Sequence, residues 1–375
     1  FAVLMAFQRF LLSTHRVQEF FIEGARSRDG RVMPAKYGYL TLLLENEAQR
    51  LEIKRPLAIL PISISYDRLL EEGAFLRELK GKRKKKETFT GFFKAVFLLK
   101  NKFGNIHISF GDFIYPDCAN LQTSAQKRKT VRKLGTAITD ALDQHTIIPE
   151  TSLLATAILG HLEGIVRREA IMEKAECYFQ FLQQTAGSKI FAPNFNLEQK
   201  LGKMVSWEYL RKVPFKPNYF VIVPGVRLKM NMYKNLALKR LAALSVSALI
   251  LKSANSLTEE QWQKETLLWM EPLATYLYFT PDSWNGQMAR ARQFLLAKTA
   301  VGTPLNLSHY SEILNNVVGA YFIVLEYGCS PDSPVLTSGI GTIKKLKEWG
   351  QTFNQANPLT NDRILIVPEV YSKPL

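Results

Sequence analysis

The chain reads as an α/β protein in which a sheet-bearing domain, residues 1–150, is followed by a helix-rich domain, residues 151–375. Three observations predict this. Up to Pro116, short β-rich runs alternate with segments of helical period, the pattern of an α/β layer with a largely parallel sheet. Beyond Pro116, residues 122–145 and 149–186 carry helical periodicity, and strand signals are few apart from Tyr219–Val223 and Ile364–Val367. Hydrophobic residues make up 47% of the chain and charged residues 22%, the balance of a folded protein able to bury a sizeable core.

Residues 1–14 have helical periodicity. The apolar run Phe1–Leu12 suggests a signal peptide, but Gln8 and Arg9 interrupt it and no small-residue cleavage site follows. We read it as a helix of an interrupted domain. Val17–Ile22 reads as a short buried strand, closed by Glu23-Gly24 and a polar loop to Gly30, and Tyr37–Arg50 as a helix. Leu57–Tyr66 (LAILPISISY) is β-rich with alternating serines, Pro61 marking an edge or a bulge. Leu69–Lys80 reads as a helix, and Phe92, Phe93, Val96 and Phe97 fall on one helical face. Asn105–Gly111 (NIHISFG) alternates as a strand with Ile106, Ile108 and Phe110 inward. The apolar stripe Leu236–Leu251 is interrupted by Lys239 and Arg240 and reads as a core helix rather than a membrane anchor. No stretch reaches the roughly 18 apolar residues of a spanning helix, so membrane contact is expected to be peripheral.

Lysine and arginine total 49 against 33 acidic residues, a net charge of +16. Such a chain seeks anionic partners: nucleic acid, lipid headgroups, phosphorylated substrates, CoA or an acidic carrier protein. Nucleic acid is disfavoured, because no recognition module or interleaved aromatic pattern accompanies the charge. Cys118, Cys177 and Cys329 lie far apart, which argues for a reducing compartment and offers neither a disulfide framework nor a zinc site. The run Lys80–Lys86, with Lys82, Arg83, Lys84, Lys85 and Lys86 at its centre, fits a solvated loop, an anionic membrane surface, or the docking of CoA phosphates or a carrier protein.

The most informative segment is EFFIEGARSRDG, Glu19–Gly30. An apolar run ends in Gly24, and Arg26, Ser27 and Arg28 stand on the loop beyond it. In open α/β sheets ligands bind beyond the carboxyl ends of strands. Arginine presents a fork of donors matched to phosphate, Gly24 permits close backbone approach, and Gly30 permits a turn with positive φ. The chemistry is that of an anion site, most simply a phosphate site, set against the alternative of a solvated basic loop.

This segment closely resembles the third of four motifs of the glycerolipid acyltransferase family, roughly FxEGxRSRxG. Arg31–Leu40 (RVMPAKYGYL) resembles the proline–lysine–x–glycine stretch that follows, with Pro34 and Ala35 in swapped order. Leu60–Asp67 resembles the fourth motif, and Glu78–Glu87 and Ile106–Ile114 resemble later segments of the glycerol-3-phosphate and dihydroxyacetone-phosphate branch. Thr151–Gly160 and Arg227–Ile250 resemble that branch's C-terminal helices more diffusely. The resemblance implies a partial glycerolipid-acyltransferase sheet domain ahead of the helix-rich domain. It implies transfer of a fatty acyl group from a thioester, acyl-CoA or acyl carrier protein, to glycerol 3-phosphate or, in the neighbouring branch, dihydroxyacetone phosphate. A relative that keeps the fold without catalysis is the alternative from another class.

By this resemblance Arg26, Ser27 and Arg28 grip the phosphate with Gly24, Glu23 fixes the loop, and Lys36 adds a cation. Pro61, Ser63 and Tyr66 line the acyl-donor side. No cofactor or metal is implied beyond the thioester co-substrate, and the place of action is the cytoplasmic face of a membrane. The family's general base is a histidine with an aspartate five positions on, expected upstream of Phe1, so the chain as it stands is expected to be inactive alone. His107 and Asp112 have that spacing, but they follow the fourth motif on an alternating strand, and we read His107 as a packed strand histidine. His15, His145, His161 and His309 lack the aspartate.

Overall fold

The computed structural model describes residues 2–24, 30–31, 33–48, 56–69, 71–74, 103–118, 121, 123–161, 164–253, 257–278, 281–300 and 306–314. A first layer joins α1 (Ala2–Ser13), α2 (Tyr37–Ala48) and α3 (Ser124–His145). Its core is Leu12, Ile22, Leu40, Leu43, Leu44, Ile59, Leu121, Val131, Leu134 and Ile138. In α3 the buried Val131, Leu134 and Ile138 recur at helical spacing, and Thr123 with Gln126 closes a capping box over the free amides of its first turn.

Strands β1 (Ile62–Tyr66) and β2 (Ile106–Phe110) form an antiparallel pair in which Ile62 faces Phe110, Ile64 faces Ile108 and Ser65 faces His107. Pro61 stands between β1 and a bridge joining Ile59 to Ile114, where its missing N–H costs no ladder bond. A second small sheet has the order β3–β5–β4, with β3 (Ile165–Arg167) and β4 (Leu210–Val213) each antiparallel to β5 (Lys216–Ile222).

The larger core lies in the helix-rich part. Helix α4 (Glu150–Gly160) is buried along its whole length and packs on α7 (Arg227–Ser253). Around them sit α5 (Arg168–Ala186), α6 (Leu197–Ser206), α8 (Glu259–Leu277), α9 (Pro281–Ala300) and α10 (Leu307–Ser311). The stripe Leu236–Leu251 lies inside α7 with Leu238, Leu241, Leu244 and Val246 fully buried. No helix among the described residues is long and apolar enough to cross a membrane.

The chain is thus α/β with a helix-rich part, and three expectations need correction. The strand ladders among the described residues are antiparallel, not parallel. Val17–Ile22 forms no strand: no ladder among the described residues includes it, Val17 and Phe21 are exposed, and Ile22 is buried in the first core with Phe20 packed against it. The β2 alternation is real but faces the other way, with Ile106, Ile108 and Phe110 exposed at 64%, 56% and 61%. The polar face, Ser63, Ser65, Asp67 and His107, turns inward because it meets a set of hydrogen-bonding and charged partners described below. The strand signals Ile165–Arg167 and Leu210–Val213 were too short and too basic to read. Residues 75–80 of the expected helix, the basic run 80–86, the apolar helical face in 92–99 and the strand signal 364–367 lie outside the described residues.

Candidate phosphate site and the strand beside it

The anion loop leaves the first core at Ile22 and returns through Lys36. Ile22 is buried in the same cluster as Ile59, so the entry to the loop and the approach to β1 share one apolar support. The turn is closed by Gly24 N donating to Phe21 O at 2.9 Å and by Lys36 N donating to Ile22 O at 2.7 Å. Glu23 Oε1 accepts from Met33 N at 3.1 Å, tying the entry of the loop to its exit. Gly24 has φ +68°, and a Cβ there would lie 2.9 Å from Lys36 Cγ, so the lysine stem crosses directly over the glycine. Gly30 has φ +80°, and a Cβ there would collide with the backbone carbonyl of Met232 in α7. Glycine is required at both points for conformation and for space.

The structure therefore brings Glu23, Gly24 and Lys36 together at one turn. Arg26, Ser27 and Arg28 belong to the same loop but lie outside the described residues, as do Lys82, Arg83, Lys84, Lys85 and Lys86.

Residues assigned to the acyl-donor side do not share one face. Pro61 is buried, and its carbonyl accepts from Gly111 N at 2.9 Å. Ser63 points inward, its hydroxyl 2.7 Å from that of Thr146 at the end of α3. Tyr66 stands on the opposite face with Ile62 and Ile64, half-buried.

The inward face ends in a buried ionic cluster. Asp67 is fully buried, and its Oδ2 accepts from Asn105 N at 2.7 Å and meets Lys200 Nζ of α6 at 2.5 Å. Lys200 Nζ also lies 3.2 Å from Glu150 Oε2 at the start of α4, while Glu150 Oε1 accepts from Asn196 N at 2.9 Å. His107 Nε2 lies 3.5 Å from Asp67 Oδ1, so this histidine faces Asp67 and not Asp112. Ser65, His107 and Asp67 have the residue types of a nucleophilic triad, but Ser65 and Asp67 are sealed from solvent and Lys200 holds the carboxylate. The reading of His107 as a packed strand histidine is what this geometry supports.

Beyond that cluster, Glu72 is buried and accepts from Tyr233 at 2.9 Å, from Arg68 at 3.1 Å and, in a shorter contact, from Tyr209. Tyr233 in turn accepts from Leu69 N at 2.9 Å. Burial holds both phenols above the usual tyrosine range, Tyr209 with the added effect of Tyr233 and Glu72, and Tyr233 with that of Glu72 against a lowering hydrogen bond from Tyr209. The Arg68 guanidinium sits between the rings of Phe103, Trp207 and Tyr209 at 5.6, 5.7 and 5.6 Å. Sequence reasoning missed Lys200, Glu150, Glu72, Tyr209 and Tyr233. The available signal was Lys200, a cation on the apolar stripe of Leu197, Leu201 and Met204.

The family described as the glycerol-3-phosphate acyltransferase C-terminal region matches residues 75–306. The chain belongs to that family. Glycerol-3-phosphate acyltransferase of Pseudomonas syringae pv. syringae is 26% identical over 264 residues, 65% of this chain and 31% of that protein. The enzyme of the same name from Pasteurella multocida is 28% identical over 235 residues, 58% of this chain and 29% of that protein. Dihydroxyacetone phosphate acyltransferase of Bos taurus is 48% identical over a shorter stretch of 94 residues, 25% of this chain and 14% of that protein. The chain thus spans less than a third of the length of each of these relatives. In this glycerol-3-phosphate acyltransferase C-terminal region, the matched span carries Asn105, Glu150, Lys200, Tyr209 and Tyr233, and begins just beyond Glu72.

Proposed function

We propose that the chain works as part of a glycerol-3-phosphate 1-O-acyltransferase, an enzyme of phospholipid synthesis. Its sheet-bearing portion, 1–150, holds the acceptor phosphate, and the helix-rich portion, 151–375, supports it. The observation that carries this reading is the closed turn in which Lys36 crosses Gly24 and Glu23 bonds Met33, within a chain of this family. Arg26, Arg28 and Lys36 neutralise the phosphate with Ser27 as a further donor, and Tyr66 lies toward the acyl donor on a strand that Pro61 and Ser63 anchor from the inner side. The acceptor hydroxyl attacks the thioester carbonyl, its proton passes to a histidine base, and the thiol leaves with a proton returned to it. None of the five histidines of residues 1–375 offers that base: four lack the partner aspartate and His107 faces Asp67 in the interior. The base belongs to another part of the working enzyme.

The donor is acyl-CoA or acyl carrier protein, and the chain meets the cytoplasmic face of a membrane peripherally. Two features support that contact: α1 exposes Val3, Phe7 and Phe10 on one side, and α3 exposes Arg128, Lys129, Arg132 and Lys133.

A second acceptor, dihydroxyacetone phosphate, is favoured by the 48% match to the bovine dihydroxyacetone phosphate acyltransferase. Acyl transfer by the full-length polypeptide, assayed with each acceptor alone and in competition, separates the two. Arg26→Ala is expected to raise the KM for the preferred acceptor by about tenfold or more, since a charge-assisted bond contributes about 1.5–3 kcal/mol. An unchanged KM refutes the phosphate assignment.

A further inference from the structure

We propose that Lys200 is a positioning residue for acyl transfer, through which the helix-rich part fixes the end of the β1 strand. The inference rests on the proposed function only in the role given to β1. Its basis is geometric. Asp67 follows directly on β1, and Lys200 joins it to Glu150, so one ammonium ties the strand to α6 and α4 at once. Both carboxylates are also held by backbone: Asp67 Oδ2 takes Asn105 N beside Lys200, and Glu150 accepts from Asn196 N on its other oxygen. The wrapping is tight: Gly104 has φ +85°, and a Cβ there would lie 2.5 Å from Asp67. Ser63, inside β1, adds its bond to Thr146 between α3 and α4.

A cluster of this kind is a poor way to gain stability. Three ionic groups have been taken out of water, and apolar replacements of such clusters are often neutral or stabilising. What the charges supply is direction and distance, because Lys200 reaches both carboxylates only in one arrangement of α6, α4 and the strand end. An apolar contact tolerates sliding; this one does not. Pro61–Tyr66 is therefore held in register against the helices by groups that never touch substrate.

The test uses the full-length polypeptide and two variants. Lys200→Met alone leaves two buried carboxylates unpaired and is expected to unfold locally or globally. The informative variant is Asp67→Asn/Glu150→Gln/Lys200→Met, which removes all three charges while keeping shape. The lock predicts that this triple variant melts cooperatively near the parent temperature. Backbone amides of Ile62–Tyr66 then exchange with deuterium about tenfold faster or more, while those of α7 are unchanged. It also predicts a kcat about tenfold or more lower, with the KM for glycerol 3-phosphate within about twofold, the signature of misplacement in the transition state. Unchanged exchange at Ile62–Tyr66, or an unchanged kcat, overturns the proposal. If the parent protein transfers no acyl group to either acceptor, the proposed function fails. The exchange measurement still decides whether Lys200 holds the strand.

Discussion

Lys234 in α7 shares a face with Met230, Leu238 and Leu241, all fully buried, and is itself 1% exposed. Its Nζ has no hydrogen-bond partner among the described residues, and burial lowers its pKa from 10.5 to about 7. Each pKa unit corresponds to about 1.36 kcal/mol, so at pH 7 holding this amine in the core costs about 4 kcal/mol relative to an unburied lysine. Lys234→Met keeps the length of the side chain and removes the cost. With relaxation around the native lysine allowed for, the expected gain at pH 7 is about 2–4 kcal/mol. The sign with pH follows from proton counting. Between pH 7 and 10.5 the unfolded state binds more protons at Lys234 than the folded state, so the parent protein gains stability as pH rises through this window. The advantage of methionine therefore shrinks toward pH 10. Urea denaturation followed by far-UV circular dichroism at both pH values measures the difference. Equal gains at pH 7 and pH 10, or no gain at pH 7, would show that Nζ finds water or an anion in the core and that the reasoning is wrong.

Gly30→Ala combines positive φ with a collision against the Met232 carbonyl, and is expected to cost about 3 kcal/mol or more in the same assay. Gly38→Ala, in α2 with open space around it, should instead be neutral or stabilise by about 0.5–1 kcal/mol. His161 is pushed down from 6.5 to about 4 by burial first and then by Lys174, His309 and Arg227. The unfolded state takes up its proton first as pH falls from 6.5 to 4, so stability is lost across that window. His161→Gln should flatten the dependence of the melting temperature on pH there, and an unchanged slope refutes the assignment. The face formed by Ile62, Ile64, Ile106, Ile108 and Phe110 should bind a hydrophobic dye and drive self-association of residues 1–375. Ile64→Thr/Ile108→Thr should reduce both, as read by fluorescence and light scattering.

What the sequence discloses here depends on which physical quantity decides the outcome. Helices α2, α3 and α7 were legible as runs of helical composition, and in α3 the buried Val131, Leu134 and Ile138 recur at helical spacing. The β1 and β2 strands were legible from alternation, and the interruption at Pro61 from its missing donor. The direction of the hairpin was not, because alternation separates two faces without saying which one is covered. Val17–Ile22 has strand composition, but a strand exists only where another pairs with it. In the candidate site, Glu23, Gly24 and Lys36 could be read from local chemistry, since the turn that joins them spans fourteen residues. Lys200 could not be matched to Asp67 or to Glu150, because contacts across 133 and 50 positions leave no local mark.

The hairpin also shows why the buried charges belong to geometry more than to stability. A two-stranded sheet that followed transfer free energy alone would turn Ile62, Ile64, Ile106, Ile108 and Phe110 toward α3 and α4, and leave its serines in water. The polar face is buried instead. Its groups are only partly matched: Ser63 finds Thr146, Asp67 finds Lys200 and Asn105, and His107 Nε2 faces Asp67 Oδ1 at 3.5 Å, whereas Ser65 Oγ makes no hydrogen bond among the described residues. Such an orphan costs about 1–3 kcal/mol. The arrangement gives up energy on the inner face and leaves apolar area uncovered on the outer one. What it gains is a strand whose end is fixed by ionic bonds of defined length, and a free apolar face on the strand's other side. A strand meant only to fill a core has no need of either, whereas the proposed role of Pro61–Tyr66 beside the acyl donor needs the first.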